Sequence, residues 1–292
     1  MALTRPASLV VGLLTLALAS SGCRERAEKP KQGSTAQASA ADSGYALLEG
    51  HSAPFTKPSV FLDGKPDLEN RYPSVVQVKS GASTSAQECS GVLIAPRFVL
   101  TAAHCVCRAH SDCESTATVT AVAYLPSTDD GSVRSLREVH SGTVRPHPQF
   151  KVPRGEPTRA ESSHADLAVI LLDEPASSDF PPITLSDTEP DASESLILVG
   201  FGNDERRFSK HPLLEPLNPK SDLIVLQPPA RAAHQEDLGG PCLREAHGRP
   251  VLVGISRRGL GVESTCLRTQ TYRAWLNEEL QHATTVHPPP HP

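Results

Sequence analysis

Residues 89–105 constrain the fold of this chain more than any other stretch; they read Cys-Ser-Gly-Val-Leu-Ile-Ala-Pro-Arg-Phe-Val-Leu-Thr-Ala-Ala-His-Cys. Apolar and β-branched residues lie on both sides of Pro96-Arg97, a pattern typical of paired strands. The second apolar run leads directly to His104. A lone histidine is usually an ordinary surface residue, but a histidine at a fixed turn can serve as a general base, because that role requires hydrogen-bond reach to a second group.

Two later stretches are relevant to the role of this histidine. Residues 164–172, His-Ala-Asp-Leu-Ala-Val-Ile-Leu-Leu, place Asp166 at the start of an apolar run, where a buried carboxylate needs a partner. The alternative is an aspartate that only caps a turn at the start of a strand. Residues 236–241 read Glu-Asp-Leu-Gly-Gly-Pro.

These three stretches resemble the trypsin-like serine proteases, which have the chymotrypsin fold and form peptidase family S1. The first has the family's Thr-Ala-Ala-His-Cys ending, the second is similar to its Asp-Ile-Ala-Leu-Leu strand, and the third keeps four letters of its Gly-Asp-Ser-Gly-Gly-Pro loop. Three further segments resemble the His-Pro segment, the strand that opens the second half and the closing helix of the family: His147–Phe150, Leu196–Gly202 and Tyr272–Leu280. The resemblance covers roughly residues 61–280.

The resemblance implies an all-β fold of two six-stranded antiparallel β-barrels with a C-terminal helix, and a site in the cleft between the barrels. The predicted domain spans residues 59–282, with barrels at about 59–180 and 181–270. A proline content of 27 residues and an aromatic content of 4% also favour β structure with many turns. The resemblance assigns His104 as the general base and Asp166 as the acid that orients it.

The nucleophile loop departs from the family at the two positions that the chemistry needs. Leu238 stands where the attacking serine belongs, and its side chain has no lone pair. Glu236 replaces a glycine that helps to form the oxyanion hole with the backbone of residue 238, and a carboxylate there repels a developing oxyanion. Loss of the nucleophile costs serine proteases about 10⁶ in turnover. No Ser, Thr or Cys adjoins Leu238 as a substitute.

The pocket positions also differ from the family. The specificity position, six residues before the nucleophile, is Ala232, so a preference for Lys or Arg is not supported. Arg257 and Arg258 stand near the positions where the family has Ser-Trp. Two interpretations remain open, an attraction for an acidic ligand or two solvated arginines at the end of a strand.

Asp237 is retained, and in this family the equivalent acid pairs with a new N-terminal amine made by activation cleavage. Here that terminus falls at residues 61–64, Phe-Leu-Asp-Gly, a poor copy of Ile-Val-Gly-Gly. Val60 precedes it, where trypsin-like activators require Lys or Arg. We therefore predict that the chain stays uncut and that Asp237 is either solvated or paired with another cation.

The seven cysteines divide into three pairs and one remainder. The resemblance implies a Cys89–Cys105 disulfide beside the histidine. The spacing of Cys107 and Cys113 suits a small local disulfide, with a metal site that uses His104 and His110 as the rival interpretation. Cys242 and Cys266 are paired by elimination. No metal or other cofactor is predicted.

The N-terminal residues carry an export signal. Residues 1–22 combine Arg5, an apolar run and small residues, which is typical of a secretory signal peptide. Small residues directly before Cys23 resemble a bacterial lipobox, which predicts lipidation of Cys23; simple secretion is the alternative. Residues 23–58 are polar and predict a flexible tether, with a pro-segment as the alternative, and residues 283–292 predict a disordered tail.

Together these features predict an exported, lipid-anchored trypsin-like homologue of the bacterial cell envelope that lacks catalysis. It is expected to bind a protein or peptide in its cleft or to act as a scaffold. Two alternatives stay open: a divergent active endopeptidase with another nucleophile, and a purely structural lipoprotein. A membrane contact through the lipid is expected. A formal net charge of -5 argues against nucleic acid as a partner.

Overall fold

The apolar runs of the sequence form strands, as predicted. The computed structural model describes residues 64–81, 87–109, 112–126, 133–151, 164–202, 204–227, 238–258 and 264–286. The predicted signal peptide (1–22), the lipidation site Cys23 and the tether (23–58) lie outside these residues. Among the described residues, no helix combines the length and apolarity needed to cross a bilayer.

Fifteen strands are described. They are β1 Lys65–Pro66, β2 Val75–Ser80, β3 Gln87–Ala95, β4 Phe98–Thr101, β5 Cys107–Ala109, β6 Asp112–Cys113, β7 Thr116–Pro126, β8 Val133–Pro146, β9 Ala168–Leu172, β10 Ser195–Gly202, β11 Glu205–Pro212, β12 Leu223–Leu226, β13 Pro241–Ala246, β14 Arg249–Arg258 and β15 Ser264–Arg268.

The first half of the domain is a closed antiparallel barrel. Its strand order is β2-β3-β4-β9-β8-β7, so six strands close the sheet as predicted. Branched and aromatic residues of these strands, such as Val75, Val99 and Ile170, are fully buried inside it. Strands β5 and β6 form a separate small hairpin.

The second half is a seven-stranded sheet in the order β1-β11-β10-β13-β14-β15-β12. Six of these strands belong to the predicted second barrel, and the two-residue β1 is an addition that the sequence pattern did not indicate. The end of β11 returns to β12 through a bridge between Leu213 and Leu226 and a hydrogen bond from the Leu214 N–H to the Val225 carbonyl. The sheet therefore curves round on a second apolar cluster, which includes Leu196, Leu198, Ile224 and Val253.

All three predicted disulfides are confirmed. They are Cys89–Cys105, Cys107–Cys113 and Cys242–Cys266. The first joins β3 to the turn that carries His104, the second joins β5 to β6, and the third joins β13 to β15. Each one therefore fixes neighbouring parts of one half of the domain.

A buried ion pair, here called the Asp67–Arg206 clamp, ties the two halves together. Arg206 of β11 donates from Nε to Asp67 Oδ2 at 2.8 Å, and both side chains are fully buried. Its Nη1 donates to the Val122 carbonyl of β7 at 2.6 Å, and its Nη2 to Asn70 Oδ1 at 3.1 Å. The Tyr124 hydroxyl accepts from the Arg206 N–H at 2.6 Å. Every one of these contacts crosses between the N-terminal segment, the barrel and the second sheet.

The chain closes with helix α1, Arg273–Val286, which follows a short 3-10 helix, Thr269–Tyr272. The predicted closing helix is present, with Trp275 packed edge-on against the His147 ring at 4.7 Å between centroids. Helix α1 includes residues 283–286, the first four residues of the segment that was predicted to be a disordered tail. Residues 287–292 lie outside the described residues.

Candidate active site

His104 is held in place by a short turn, a disulfide and a hydrogen bond. Strand β4 ends at Thr101, and a single 3-10 turn, Ala103–Cys105, places the imidazole beside the Cys89–Cys105 disulfide. The side-chain amide of Gln87 donates to the His104 carbonyl at 2.8 Å. His104 is 9% exposed, so its ring is held rigidly at the edge of the core.

Asp166 lies against this histidine and is completely buried. Its Oδ1 accepts from the His104 N–H at 2.8 Å, and its Oδ2 lies 2.8 Å from His104 Nδ1. Burial opposes ionisation of Asp166, but the charge and hydrogen bonds of His104, together with the charge of Arg257, hold the pKa of the carboxyl below its usual value. The structure therefore brings the two residues together in the arrangement that orients a general base.

The turn before Asp166 is supported by a residue that the sequence interpretation assigned only to the closing helix. The Tyr272 hydroxyl donates to Asp222 Oδ2 at 2.6 Å. Burial and this hydrogen bond raise the pKa of Tyr272, and the backbone of Ala165 opposes that rise. Ala165 has a φ of 51°, a left-handed conformation that a non-glycine residue adopts only when its surroundings impose it. A local sequence pattern carries no signal for such a support, because Tyr272 lies more than a hundred residues away.

The turn at the predicted nucleophile position is described over residues 238–240, where its backbone is well hydrogen-bonded. The Leu238 carbonyl accepts from the Ser90 N–H at 2.8 Å, and the Gly239 N–H donates to the Ser256 carbonyl at 2.8 Å. Gly239 has a φ of 80°, and a Cβ at this position would lie 2.4 Å from Thr101 Oγ1. This turn is therefore packed so closely against the histidine-bearing strand that only glycine fits.

Leu238 occupies the nucleophile position with a side chain that belongs to the main hydrophobic core. It is 6% exposed. A leucine has no hydroxyl or thiol to attack a carbonyl. The described part of the site therefore contains the predicted base and the predicted orienting acid, with no nucleophilic side chain at residue 238.

The remaining predicted site residues divide into those outside the described part of the chain and Arg257, which lies within it. Ala232, Glu236 and Asp237 lie outside the described residues, as does the side chain of Arg258, so their roles stay predictions. Arg257 is 4% exposed. The interpretation of Arg257 as a solvated arginine at the end of a strand is therefore wrong, because β14 places it inside the domain.

Within the described residues, one group of potential metal ligands lies close enough together to share an ion, namely Cys89, His104 and Cys105. Both cysteines are joined in the disulfide. A metal takes a thiolate rather than a disulfide sulfur, so this group does not have the donor set of a zinc site.

Two β units, a disulfide-supported histidine and a buried aspartate oriented towards it define a domain of the serine-protease type. In agreement, the family model of trypsin matches residues 61–276. The chain belongs to the trypsin family. It is also similar to mouse serine protease 56, with 26% identity over 235 residues, which cover 69% of this chain. The matched region covers only 36% of that protein's length.

Proposed function

We propose that this protein is a trypsin-family homologue without peptidase activity, which binds a protein or peptide segment in the cleft where a protease holds its substrate. The observation that carries this proposal is Leu238, an apolar core residue at the position of the attacking group. The backbone of the turn and the pair of His104 and Asp166 keep the protease arrangement. These features support a domain that keeps part of the protease arrangement and lacks the side chain that attacks the peptide bond.

We further propose that the domain works at the bacterial cell envelope, anchored through a lipid on Cys23. Three disulfides support export, because such bonds persist in oxidising compartments. They also leave Cys23 as the one cysteine of seven without a pairing role. Incorporation of labelled palmitate into the natural protein, and its loss in Cys23→Ser, tests the anchor; equal labelling of both proteins contradicts it.

The absence of catalysis is tested by labelling the purified full-length protein with a serine-directed fluorophosphonate. We expect no labelling of the natural protein, since a leucine cannot form the phosphonate ester. Leu238→Ser and the double variant Leu238→Ser/Glu236→Gly run beside it, each with and without His104→Ala as the matched control. Labelling of the natural protein that disappears in His104→Ala contradicts the proposal and reveals a divergent active endopeptidase with another nucleophile.

Binding is tested separately, by the thermal midpoint of the natural protein in the presence of N-blocked peptides that differ in one side chain. A ligand that binds only the folded state raises the midpoint in proportion to its affinity. We expect a rise that depends on the peptide sequence. A panel in which no peptide raises the midpoint at millimolar concentration contradicts binding. That outcome favours a structural protein without a ligand, which is the alternative that the burial of Leu238 supports.

A further inference from the structure

Two disulfides of this domain are equally buried but have different neighbours. Cys89 and Cys105 are 1% and 0% exposed, and Cys242 and Cys266 are both 0% exposed. The Cys242–Cys266 bond belongs to the apolar cluster of the second sheet. The Cys89–Cys105 bond packs against the main core and also lies beside an ionisable ring, so a charge formed on its sulfurs would have a different environment.

That ring is the imidazole of His104. Its Nε2 lies 3.8 Å from Cys105 Sγ. Its Nδ1 lies 2.8 Å from Oδ2 of Asp166, whose carboxylate is fully buried. A carboxylate at this distance favours the protonated, positively charged form of an imidazole. The two ring nitrogens therefore connect a buried carboxylate on one side with a sulfur on the other.

The surroundings of Cys105 keep its sulfur in this position. Its carbonyl accepts from the Ser80 hydroxyl at 2.6 Å, and its N–H donates to the Ala102 carbonyl at 3.1 Å. The Leu238 carbonyl oxygen lies 3.7 Å from Cys105 Sγ, and a Cβ added at Gly239 would lie 2.9 Å from it. Because the sulfur is enclosed on these sides, we expect it to stay beside the imidazole when the disulfide opens.

A disulfide opens by substitution at sulfur. A thiolate of a dithiol reductant attacks Cys89 Sγ, the S–S bond breaks, and its electron pair leaves on Cys105 Sγ. The second thiol of the reductant then loses its proton and displaces Cys89, which takes up one proton, and the reductant ends as a disulfide. A neighbouring cation favours the thiolate, and a stabilised thiolate leaves faster. The protonated imidazole of His104 is such a cation.

We propose that Cys89–Cys105 is a redox-active disulfide that exchanges with dithiols, and that His104 and Asp166 hold the released Cys105 sulfur as a thiolate. In the oxidised state this sulfur is bonded and carries no charge. In the reduced state the site contains a nucleophilic sulfur beside the predicted base, which Leu238 does not provide. Reduction thus changes the chemistry available at the site.

The test is alkylation of the full-length protein under native conditions. The protein is reduced with dithiothreitol at pH 7, transferred to pH 6 and treated with iodoacetamide, and each cysteine is followed by peptide mass spectrometry. At pH 6 an ordinary thiol is less than about 1% thiolate. We expect the Cys89–Cys105 bond to open before Cys242–Cys266. We also expect alkylation of Cys105 to be about tenfold faster than that of Cys242, since its larger thiolate fraction outweighs the lower nucleophilicity of a stabilised thiolate.

Two variants separate the effect of the histidine from an effect of packing. His104→Gln removes the cation, and Asp166→Asn removes the charge that favours it. Either change is expected to bring the alkylation rate of Cys105 to within about threefold of that of Cys242. A merely structural role predicts the opposite direction, because a loosened domain opens more often and exposes the cysteines of both disulfides.

His140→Gln is the matched control. His140 is also a buried histidine of the barrel, and its Nε2 lies 2.7 Å from a carboxylate oxygen, Oε1 of Glu138. Its replacement is expected to leave the alkylation rate of Cys105 unchanged.

Three results would overturn the proposal. The first is equal alkylation of Cys105 and Cys242 in the natural protein. The second is an excess rate at Cys105 that persists in both His104→Gln and Asp166→Asn. The third is a Cys89–Cys105 bond that opens only under conditions in which circular dichroism shows the domain to be unfolded.

Discussion

Asp67 and Asp166 are both fully buried carboxylates, yet they have different hydrogen-bond partners. Asp67 accepts from the Arg71 and Tyr72 N–H groups and from Arg206 Nε, so its partners are backbone groups and a permanent cation. Asp166 accepts from the backbone and ring of His104, and that ring reaches the surface of the core.

The difference shows that burial of a carboxylate does not by itself mark a functional site. What separates the two is the partner. The Asp67–Arg206 clamp joins three segments and is fully buried, whereas the partner of Asp166 is the histidine predicted to be the general base. Sequence motifs mark the second centre and leave the first unmarked.

The clamp is expected to give the larger effect when it is broken. Arg206→Met keeps most of the side-chain volume but leaves Asp67 buried without its cation, which costs about 3–5 kcal/mol. Urea unfolding at pH 7 measures this change. Lys210→Met on the same strand is the control, since Lys210 is exposed and its nearest carboxylate, on Glu245, is 4.0 Å away. Equal stabilities of the two variants would show that the clamp is no more important than a surface pair.

The packing of the turn at residues 238–240 is tested by two glycines with similar backbone conformations. Gly239 has a φ of 80° and Gly248 a φ of 75°, but only Gly239 has atoms within contact distance of an added Cβ. We expect Gly239→Ala to cost about 3 kcal/mol, from strain and overpacking together, and Gly248→Ala about 1 kcal/mol, from strain alone. Equal losses in urea unfolding contradict the close packing described for residues 238–240.

The variant Tyr124→Phe removes one hydroxyl oxygen that accepts a hydrogen bond from Arg206 of the clamp. The hydroxyl accepts from the buried Arg206 N–H, and the ring lies 5.3 Å from the guanidinium. The variant keeps the ring and leaves the N–H without this acceptor, so we expect a loss of about 1–2 kcal/mol in the free energy of unfolding. Tyr124→Phe in the Arg206→Met background is the control, and it is expected to cost a similar amount, because a methionine backbone has the same N–H. A much smaller cost in the Arg206→Met background shows that the Tyr124 hydroxyl stabilises the charge of the Arg206 side chain and not its backbone N–H.

The next prediction concerns the pH dependence of stability, which is assigned to His147. Burial, and to a lesser degree the charge of His164, lowers the pKa of His147. A histidine whose pKa is lower in the folded state contributes stability above its unfolded pKa of about 6.5 and loses that contribution as the pH falls. We therefore expect the natural protein to lose on the order of 1 kcal/mol more than His147→Phe between pH 7.5 and 5.5.

Urea unfolding at both pH values measures that difference. His247→Asn, at an exposed turn position, is the control and is expected to keep the pH dependence of the natural protein. A His147→Phe variant with the same pH dependence as the natural protein contradicts the assignment.

Much of the fold was predictable, because the motifs combine strand patterns with residues that have fixed backbone roles. The stretch around His104 specified two paired strands, a disulfide and the histidine turn, and all three are present. Strand β1 was not predictable, since Lys65-Pro66 has no strand pattern. It forms a strand because it pairs with β11 at the edge of the second sheet.

The charged interior was the least predictable part. Asp67 and Arg206 lie 139 residues apart, and nothing near either one indicates its partner. Arg257 follows an apolar run, and the sequence left open whether it is solvated or attracts an acidic ligand. In the structure the strand continues into the domain and Arg257 is buried. Whether a charge is buried depends on which distant group can balance it, and a local pattern does not contain that information.

The order of the strands has a consequence for the time course of synthesis. Residues 75–172 contain every strand of the closed barrel, whereas β1 pairs only with β11, which begins at residue 205. N-terminal units fold first as a chain emerges. The barrel can thus be complete while β1 still lacks β11 and Asp67 still lacks Arg206. The arrival of Arg206 then closes the clamp and joins the first strands of the second sheet to the barrel and the N-terminal segment.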